Sequence, residues 1–279
     1  MTTGTVDSTA PRIAVLISGR GSNLQSIIDA IADRSLDATL ALVVSNRSEA
    51  AGLARARDAG IEALCLSQRD YRDRDAYDRA IVTVLRAHKV DLVCLAGFMR
   101  LVGTPMLEAF PQRILNIHPS LLPAFPGLDA QQQALAHGVR VSGATVHVVT
   151  PELDGGPIIL QAPVPVLDDD TVETLSARIL VEEHRIYPEA IRVVLRGGWR
   201  LEGRRFIAAR SIVRLSRLPV LFARLSSSRR QSGRDHRLHA AHLAQSPFLP
   251  GSDACAARSG KPRDDRRICR TVFEALSRR

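Results

Sequence analysis

Arg12-Ile13-Ala14-Val15-Leu16-Ile17-Ser18-Gly19-Arg20-Gly21-Ser22-Asn23 decides the fold. Its first half is a short apolar run rich in β-branched residues, which reads as a strand buried on both faces. Leu24, Ile27, Ile28 and Ile31 then recur at helical spacing. A glycine-rich turn therefore joins a strand to a helix start. Backbone N–H groups point out of such a helix end, and glycine lets an anion come close. The turn reads as a phosphate cradle, with Ser22 and Asn23 adding side-chain donors or capping the helix; a tight turn with an N-cap remains the plainer alternative. A dinucleotide fingerprint needs a third glycine, and Leu24 stands there. It also needs an acid near the end of the second strand, where Ser45-Asn46-Arg47 stands. No GxxxxGK[ST] loop occurs either. A monophosphate ligand suits the turn better than NAD or ATP.

Outward from this unit the alternation continues. Strands are predicted over 38–44, 61–66, 90–96 and 113–117, and helices over 24–32, 49–59 and 75–88. Near-continuous apolar strands alternating with helices imply an α/β fold with a mostly parallel sheet covered on both faces. The rhythm then changes. Two strands, 141–149 and 158–166, follow in quick succession and suggest an antiparallel region added at the sheet edge. A long helix is expected over 171–195, kinked or broken at Pro188 and ended by Gly197-Gly198.

The composition, 45% apolar and 24% charged, is globular. No apolar run approaches the roughly 18 residues of a membrane span. The first ten residues lack a basic cluster followed by an apolar stretch, so no secretory leader is expected and the cytoplasm is the default location. The net charge of +9 is unevenly spread: 20 Lys/Arg against 23 Asp/Glu in residues 1–200, but 18 against 6 in residues 201–279. The basicity belongs to the tail and says little about the body. The chain thus divides into a flexible N-terminus (1–10), a folded body (11–207) and a basic tail of low periodicity (208–279). Disorder is the simplest account of that tail. A nucleic-acid or membrane-surface grip, a non-native reading frame or a divergent appendage competes with it. Cys65 and Cys94 lie in apolar runs and read as buried thiols. No CxxC pair occurs and no zinc site is suggested.

Ile114-Leu115-Asn116-Ile117-His118-Pro119 ends a strand and enters a loop. Residues two apart on a strand share a face, so Asn116 and His118 project together at the strand's carboxyl end, where open α/β sheets place ligands. Taken alone, a histidine before proline is as readily a structural loop residue. Glu152-Leu153-Asp154-Gly155-Gly156-Pro157 is the second cue. It reads first as a solvated turn, but near His118 its Asp154 would hold the imidazole and raise its pKa.

Five ordered motifs then carry a resemblance: Ser-Gly-Arg-Gly-Ser-Asn-Leu-Gln (18–25), Ala-Gly-Phe-Met-Arg (96–100), Asn-Ile-His-Pro-Ser-Leu-Leu-Pro (116–123), Leu-Asp-Gly-Gly-Pro-Ile (153–158) and Glu-His-Arg-Ile-Tyr-Pro (183–188). Over about residues 11–205 the chain closely resembles the folate-dependent glycinamide ribonucleotide formyltransferases. The resemblance implies a Rossmann-like formyltransferase fold. It also implies transfer of a formyl group from 10-formyltetrahydrofolate, as cosubstrate, to the amine of 5-phosphoribosylglycinamide (GAR) in purine (IMP) biosynthesis. By the same resemblance Gly21, Ser22 and Asn23 hold the ribonucleotide phosphate, and Glu183 binds the glycinamide amine end. Arg74 and the run Met99-Arg100-Leu101-Val102 line the folate cleft, with Asn116 reaching it. Asn116, His118 and Asp154 form the catalytic trio. Without the resemblance, Arg74, Arg100 and Glu183 would read as surface charge, and Leu101 and Val102 as core. The sequence departs from the family at Asp129 and Gln131, where family members often carry His at the first and sometimes at the second. The shape or charge of the cleft is expected to differ there.

The implied chemistry is direct transfer, with no metal and no covalent intermediate, by a monomer or homodimer acting on small molecules alone. A formyltetrahydrofolate hydrolase is the nearest rival. Water needs no phosphate anchor, however, and such hydrolases resemble this chain only beyond an extra preceding domain, whereas about ten residues precede the first strand here. A methionyl-tRNA formyltransferase would give the basic tail an RNA to grip. That family shows Arg-Gly after Leu-Leu-Pro, where Phe125-Pro126-Gly127 stands, so a nucleic-acid partner is disfavoured.

Overall fold

A computed structural model describes residues 10–208. The expectations for the extreme N-terminus and for the basic tail beyond 208 lie outside the described residues. In chain order the elements are β1 (Arg12–Ile17), α1 (Ser22–Ala32), β2 (Thr39–Ser45), α2 (Ala51–Asp58), β3 (Ala63–Cys65), α3 (Arg74–Ala87), β4 (Leu92–Leu95), α4 (Thr104–Ala109), β5 (Ile114–His118), α5 (Ala130–Ala136), β6 (Val141–Val148), β7 (Ile158–Pro165), α6 (Val172–Arg196), β8 (Trp199–Glu202) and β9 (Arg205–Ala208).

The strands form one sheet in the order β3-β2-β1-β4-β5-β6-β7-β9-β8. The first five are parallel; β6 then runs antiparallel to β5, and β7 antiparallel to β6. The change of rhythm in the sequence is therefore a change of strand direction. Alternate residues of β1 supply two cores. Ile13, Val15 and Ile17 pack with α1 and α6 residues such as Leu24, Ile27, Ile186 and Tyr187. Ala14 and Leu16 pack with Tyr77, Ile81, Leu85 and Met106 of α3 and α4. Burial on both faces explains why β1 reads as an uninterrupted apolar run.

Two expectations are corrected. Helix α6 runs without a break through Pro188. Proline in a helix interior costs about 3 kcal/mol, but Ile186, Tyr187, Ala190 and Ile191 around it are fully buried and outweigh that cost. At the front of the same helix Thr171 and Thr174 form a reciprocal capping box. Cys94 is buried as expected, whereas Cys65, on the edge strand β3, is only partly so. The short helices α4 and α5 and the hairpin β8–β9 lie outside the sequence expectations. That hairpin adds to the sheet through β9 against β7 and is pinned by Trp199, which stacks on Phe206 at 5.1 Å and donates to the Val194 carbonyl at 3.0 Å.

Winding reverses between β1 and β4, which lie side by side while the chain departs from them in opposite directions across the sheet. The crevice outside the carboxyl ends of such a strand pair is where open α/β sheets bind ligands. Here its two lips are the turn 18–21 and the segment 96–103.

Candidate active site

The turn after β1 is shaped by contact as well as by conformation. Gly21 has φ 72°, and a Cβ there would lie 2.7 Å from the Gly52 Cα. Helix α1 starts at Ser22 with no side chain capping it, so its first N–H groups face the crevice. The Asn23 side chain does not cap the helix. Its Nδ2 donates to Glu183 Oε2 at 2.7 Å, across the α1–α6 contact. Glu183 is 7% exposed. Burial pushes its carboxyl above the ordinary range, and the Asn23 bond offsets this only in part. Asn23 Oδ1 is buried without a hydrogen-bond partner. An acid and an amide that sequence separates by 160 positions thus face one another at the base of the turn.

Arg74 opens α3, beside Asp78 and Gly103. Asp78, nearly buried, accepts the Gly103 N–H at 2.6 Å and so ties the segment after β4 to α3. On that segment Met99 is 62% and Leu101 57% exposed, which is unusual for large apolar side chains and marks a surface open to an apolar ligand. Val102 instead packs against the core on the α3 side, as the plainer reading of its sequence suggests. Arg100 is half-buried, with its charge close to Tyr77 and Asp78.

The structure brings Asn116, His118 and Asp154 together, and it does so through a fourth residue. In the β5–β6 register Asn116 lies opposite His147, and the Asn116 Nδ2 is 3.2 Å from His147 Nε2. His147 Nδ1 sits 3.1 Å from the Val148 carbonyl, and Nε2 lies between the Asn116 amide and the Asp154 carboxylate. His147 Nε2 is 3.6 Å from Asp154 Oδ1, and His118 Nδ1 is 3.5 Å from Asp154 Oδ2. Asp154 Oδ2 also accepts the Gly127 N–H at 2.8 Å. Asp154 takes the left-handed conformation, φ 49°. The glycines after it permit the tight return to β7: a Cβ on Gly156 would overlap the Val148 carbonyl oxygen.

The second ring nitrogen of His118 is committed elsewhere. Nε2 lies 2.8 Å from the Phe125 carbonyl and must be the donor there. Only Nδ1 faces the cluster. His118 is 5% exposed. Burial pushes its imidazole below the ordinary value and prevails over the Phe125 carbonyl and the Asp154 charge, which both act upward. This corrects the expectation that Asp154 raises the His118 pKa overall: the pull exists but desolvation exceeds it. For Asp154, burial pushes upward, but His147, the Gly127 N–H and the His118 charge together hold the carboxyl below the usual range.

The loop that carries the Phe125 carbonyl is braced from β6 and β7. Thr145 Oγ1 donates to the Ser120 carbonyl at 2.6 Å and accepts the Leu122 N–H at 3.0 Å. Gln161 Nε2 donates to the Leu122 carbonyl at 2.8 Å. Asp129, at φ 55°, precedes α5 without capping it, and the loop is held instead by Gln133 donating to the Leu128 carbonyl at 2.7 Å. His147 is the residue that sequence reasoning missed. It stands in an apolar strand run, and only the register opposite Asn116 gives it a partner. Thr145 and His147 alternating within that run were the available signal.

The chain matches the family described as formyl transferase over residues 11–191. It is 46% identical over 192 residues to a phosphoribosylglycinamide formyltransferase of Escherichia coli (strain K12), covering 69% of this chain and 88% of that protein. It is 48% identical over 190 residues to the trifunctional purine biosynthetic protein adenosine-3 of Bos taurus, covering 68% of this chain and 19% of that protein; the chain thus spans about a fifth of the length of such trifunctional relatives. The crystal structure of glycinamide ribonucleotide transformylase 1 from Symbiobacterium toebii superposes with a TM-score of 0.71 at 60% identity, over 72% of this chain and 95% of that one. Both the matched residues and the shared fold take in the turn, the crevice and the cluster at β5, and on these grounds the chain belongs to the formyl transferase family.

Proposed function

We propose that the chain transfers the formyl group of 10-formyltetrahydrofolate to the amine of GAR, giving formyl-GAR and tetrahydrofolate in purine biosynthesis. The observation that carries this reading is the connected set Asn116–His147–Asp154–His118 at the carboxyl end of β5, beside a helix start left uncapped. The relatives named as phosphoribosylglycinamide formyltransferases support it. Residues 11–207 form the formyltransferase domain, working as a monomer or homodimer in the cytoplasm, with the folate as cosubstrate and no metal.

In this reading Gly21, Ser22 and Asn23 hold the phosphate, where backbone N–H groups meet the anion, and Glu183 binds the glycinamide amine end. The folate lies along Met99, Arg100, Leu101 and Val102 and reaches Asn116, with Arg74 and Arg100 matching its carboxylates. The neutral amine attacks the formyl carbon, a C–N bond forms, and the carbonyl electrons move onto oxygen. The Asn116 amide and the Nδ1–H of protonated His118 donate to that oxyanion; one such donor is worth roughly 3–4 kcal/mol at the transition state. In the neutral ring Nδ1 is a lone pair set against the Asp154 carboxylate. A proton arriving from the attacking amine removes that repulsion, so the cluster takes up the proton at the moment of attack. Asp154 then passes it, through water, toward the folate nitrogen as the bond to the formyl carbon breaks.

The direct test mixes purified protein with 10-formyltetrahydrofolate, with and without GAR, and follows folate deformylation. Deformylation that depends on GAR is the expected result. An equal rate without GAR would replace the transferase by the hydrolase.

A further inference from the structure

Ser18 takes no part in the chemistry above, yet it is 4% exposed and every polar atom it carries on the crevice side is engaged. Its N–H donates to the Gly97 carbonyl at 3.1 Å. Its Oγ accepts the Met99 N–H at 2.9 Å and donates to Asn46 Oδ1 at 2.7 Å. Because β1 and β4 adjoin at the winding reversal, these bonds cross the mouth of the crevice from one lip to the other. The turn's other flank is held separately, by Gly52 N–H to the Gly19 carbonyl at 3.1 Å and by Arg55 Nε to the Arg20 carbonyl at 3.0 Å. The segment 97–103 is tethered by Ser18 near its start, through Gly97 and Met99, and by Asp78, through Gly103, at its end.

We propose that Ser18 is a positioning residue that sets the spacing between the ribonucleotide turn and the folate-lining segment, and hence the alignment of the two reactants. The proposal rests on the function put forward above. A hydroxyl has one hydrogen and two lone pairs. Asn46 takes the hydrogen, which turns a lone pair toward Met99; Asn46 therefore sets the direction of the bond that Ser18 makes. Removing the hydroxyl takes these partners from the Met99 N–H and Asn46 Oδ1 and loosens the folate-lining segment at Met99, while the backbone bond from Ser18 N–H to the Gly97 carbonyl remains. The contacts of Gly21 and Asn23 stay in place.

The test is calorimetric titration of the full chain with tetrahydrofolate, and separately with GAR, for wild type, Ser18→Ala and Asn46→Ala. Ser18→Ala is expected to weaken tetrahydrofolate about tenfold while GAR affinity changes by less than about twofold. Asn46→Ala shifts tetrahydrofolate in the same direction but less, since Oγ still accepts from Met99. Unchanged tetrahydrofolate affinity in both variants, or equal losses for both ligands, overturns the proposal. Should Ser18→Ala not fold, Asn46→Ala carries the test alone: a selective loss supports the proposal and no loss overturns it. A wild-type chain that binds no tetrahydrofolate fails the parent reading instead, and is told apart by that result.

Discussion

The parallel half of the sheet and its antiparallel extension contribute different chemistry. At the ends of β1 and β4 the crevice offers backbone N–H groups at the Gly21 turn and the start of α1, and the apolar side chains of Met99 and Leu101 on a segment hung from Ser18 and Asp78. At β5–β6 it is side chains with titratable or amide groups, brought face to face by an antiparallel register. Backbone donors suit a fixed anion, since they keep their hydrogen at every pH. Side chains such as His118 and Asp154 suit a proton that must move. Strand β5 joins the two halves: it is parallel to β4 and antiparallel to β6, and it carries Asn116 and His118.

Substitutions can break this division of labour. The largest effect is expected from Asp154→Asn. Losing the carboxylate removes an upward pull on His118, so the imidazole titrates at still lower pH. Turnover should fall at least ~100-fold, with ligand affinities retained. Steady-state kinetics and an NMR titration of the His118 ring check both parts, and near-normal turnover would take Asp154 out of the mechanism. Gly21→Ala attacks the other region. The added Cβ meets Gly52 and the backbone is left-handed, so a loss of about 2 kcal/mol in folding stability is expected. GAR affinity should fall more than folate affinity, as measured by denaturant unfolding and by titration with each ligand.

His147→Ala sharpens the comparison, because it leaves the proposed trio intact and removes only the link between Asn116 and Asp154. A fall in turnover of about tenfold is expected, in the range of a lost hydrogen bond that orients a donor, with unchanged GAR affinity. The smallest effect is in pH dependence. His118 has a depressed pKa in the folded chain, so the unfolded chain binds more protons over the interval below the ordinary histidine value. Stability from this group is full above that value and is lost as pH falls toward the folded pKa. Asp154→Asn widens that interval, and urea midpoints measured from pH 7 to pH 5 should drop more steeply for the variant than for the wild type.

Much of the fold was readable because its signals are local. The apolar run of β1, the helical spacing after it and the shift of rhythm near residue 141 each sit within a few residues. What escaped was tertiary. Pro188 reads as a kink or a break, yet the helix is unbroken there, carried by its buried neighbours on α6. Cys65 reads like Cys94, yet one lies on an edge strand and the other at the centre. Of the cleft residues, Met99 and Leu101 are exposed as a ligand surface would be, while Val102 is partly buried against the core.

By itself the sequence determined the alternating α/β order, the glycine turn between the first strand and helix, and the pairing of Asn116 with His118 on one strand face, since each follows from backbone periodicity or from the conformations glycine allows. Only the tertiary structure decided that His147 bridges Asn116 to Asp154, that Glu183 reaches Asn23, and that Ser18 joins the two lips of the crevice. It also decided the sign of the His118 shift. Desolvation and the nearby carboxylate act in opposite directions, and their balance depends on burial and distance, quantities that exist only once the chain is folded.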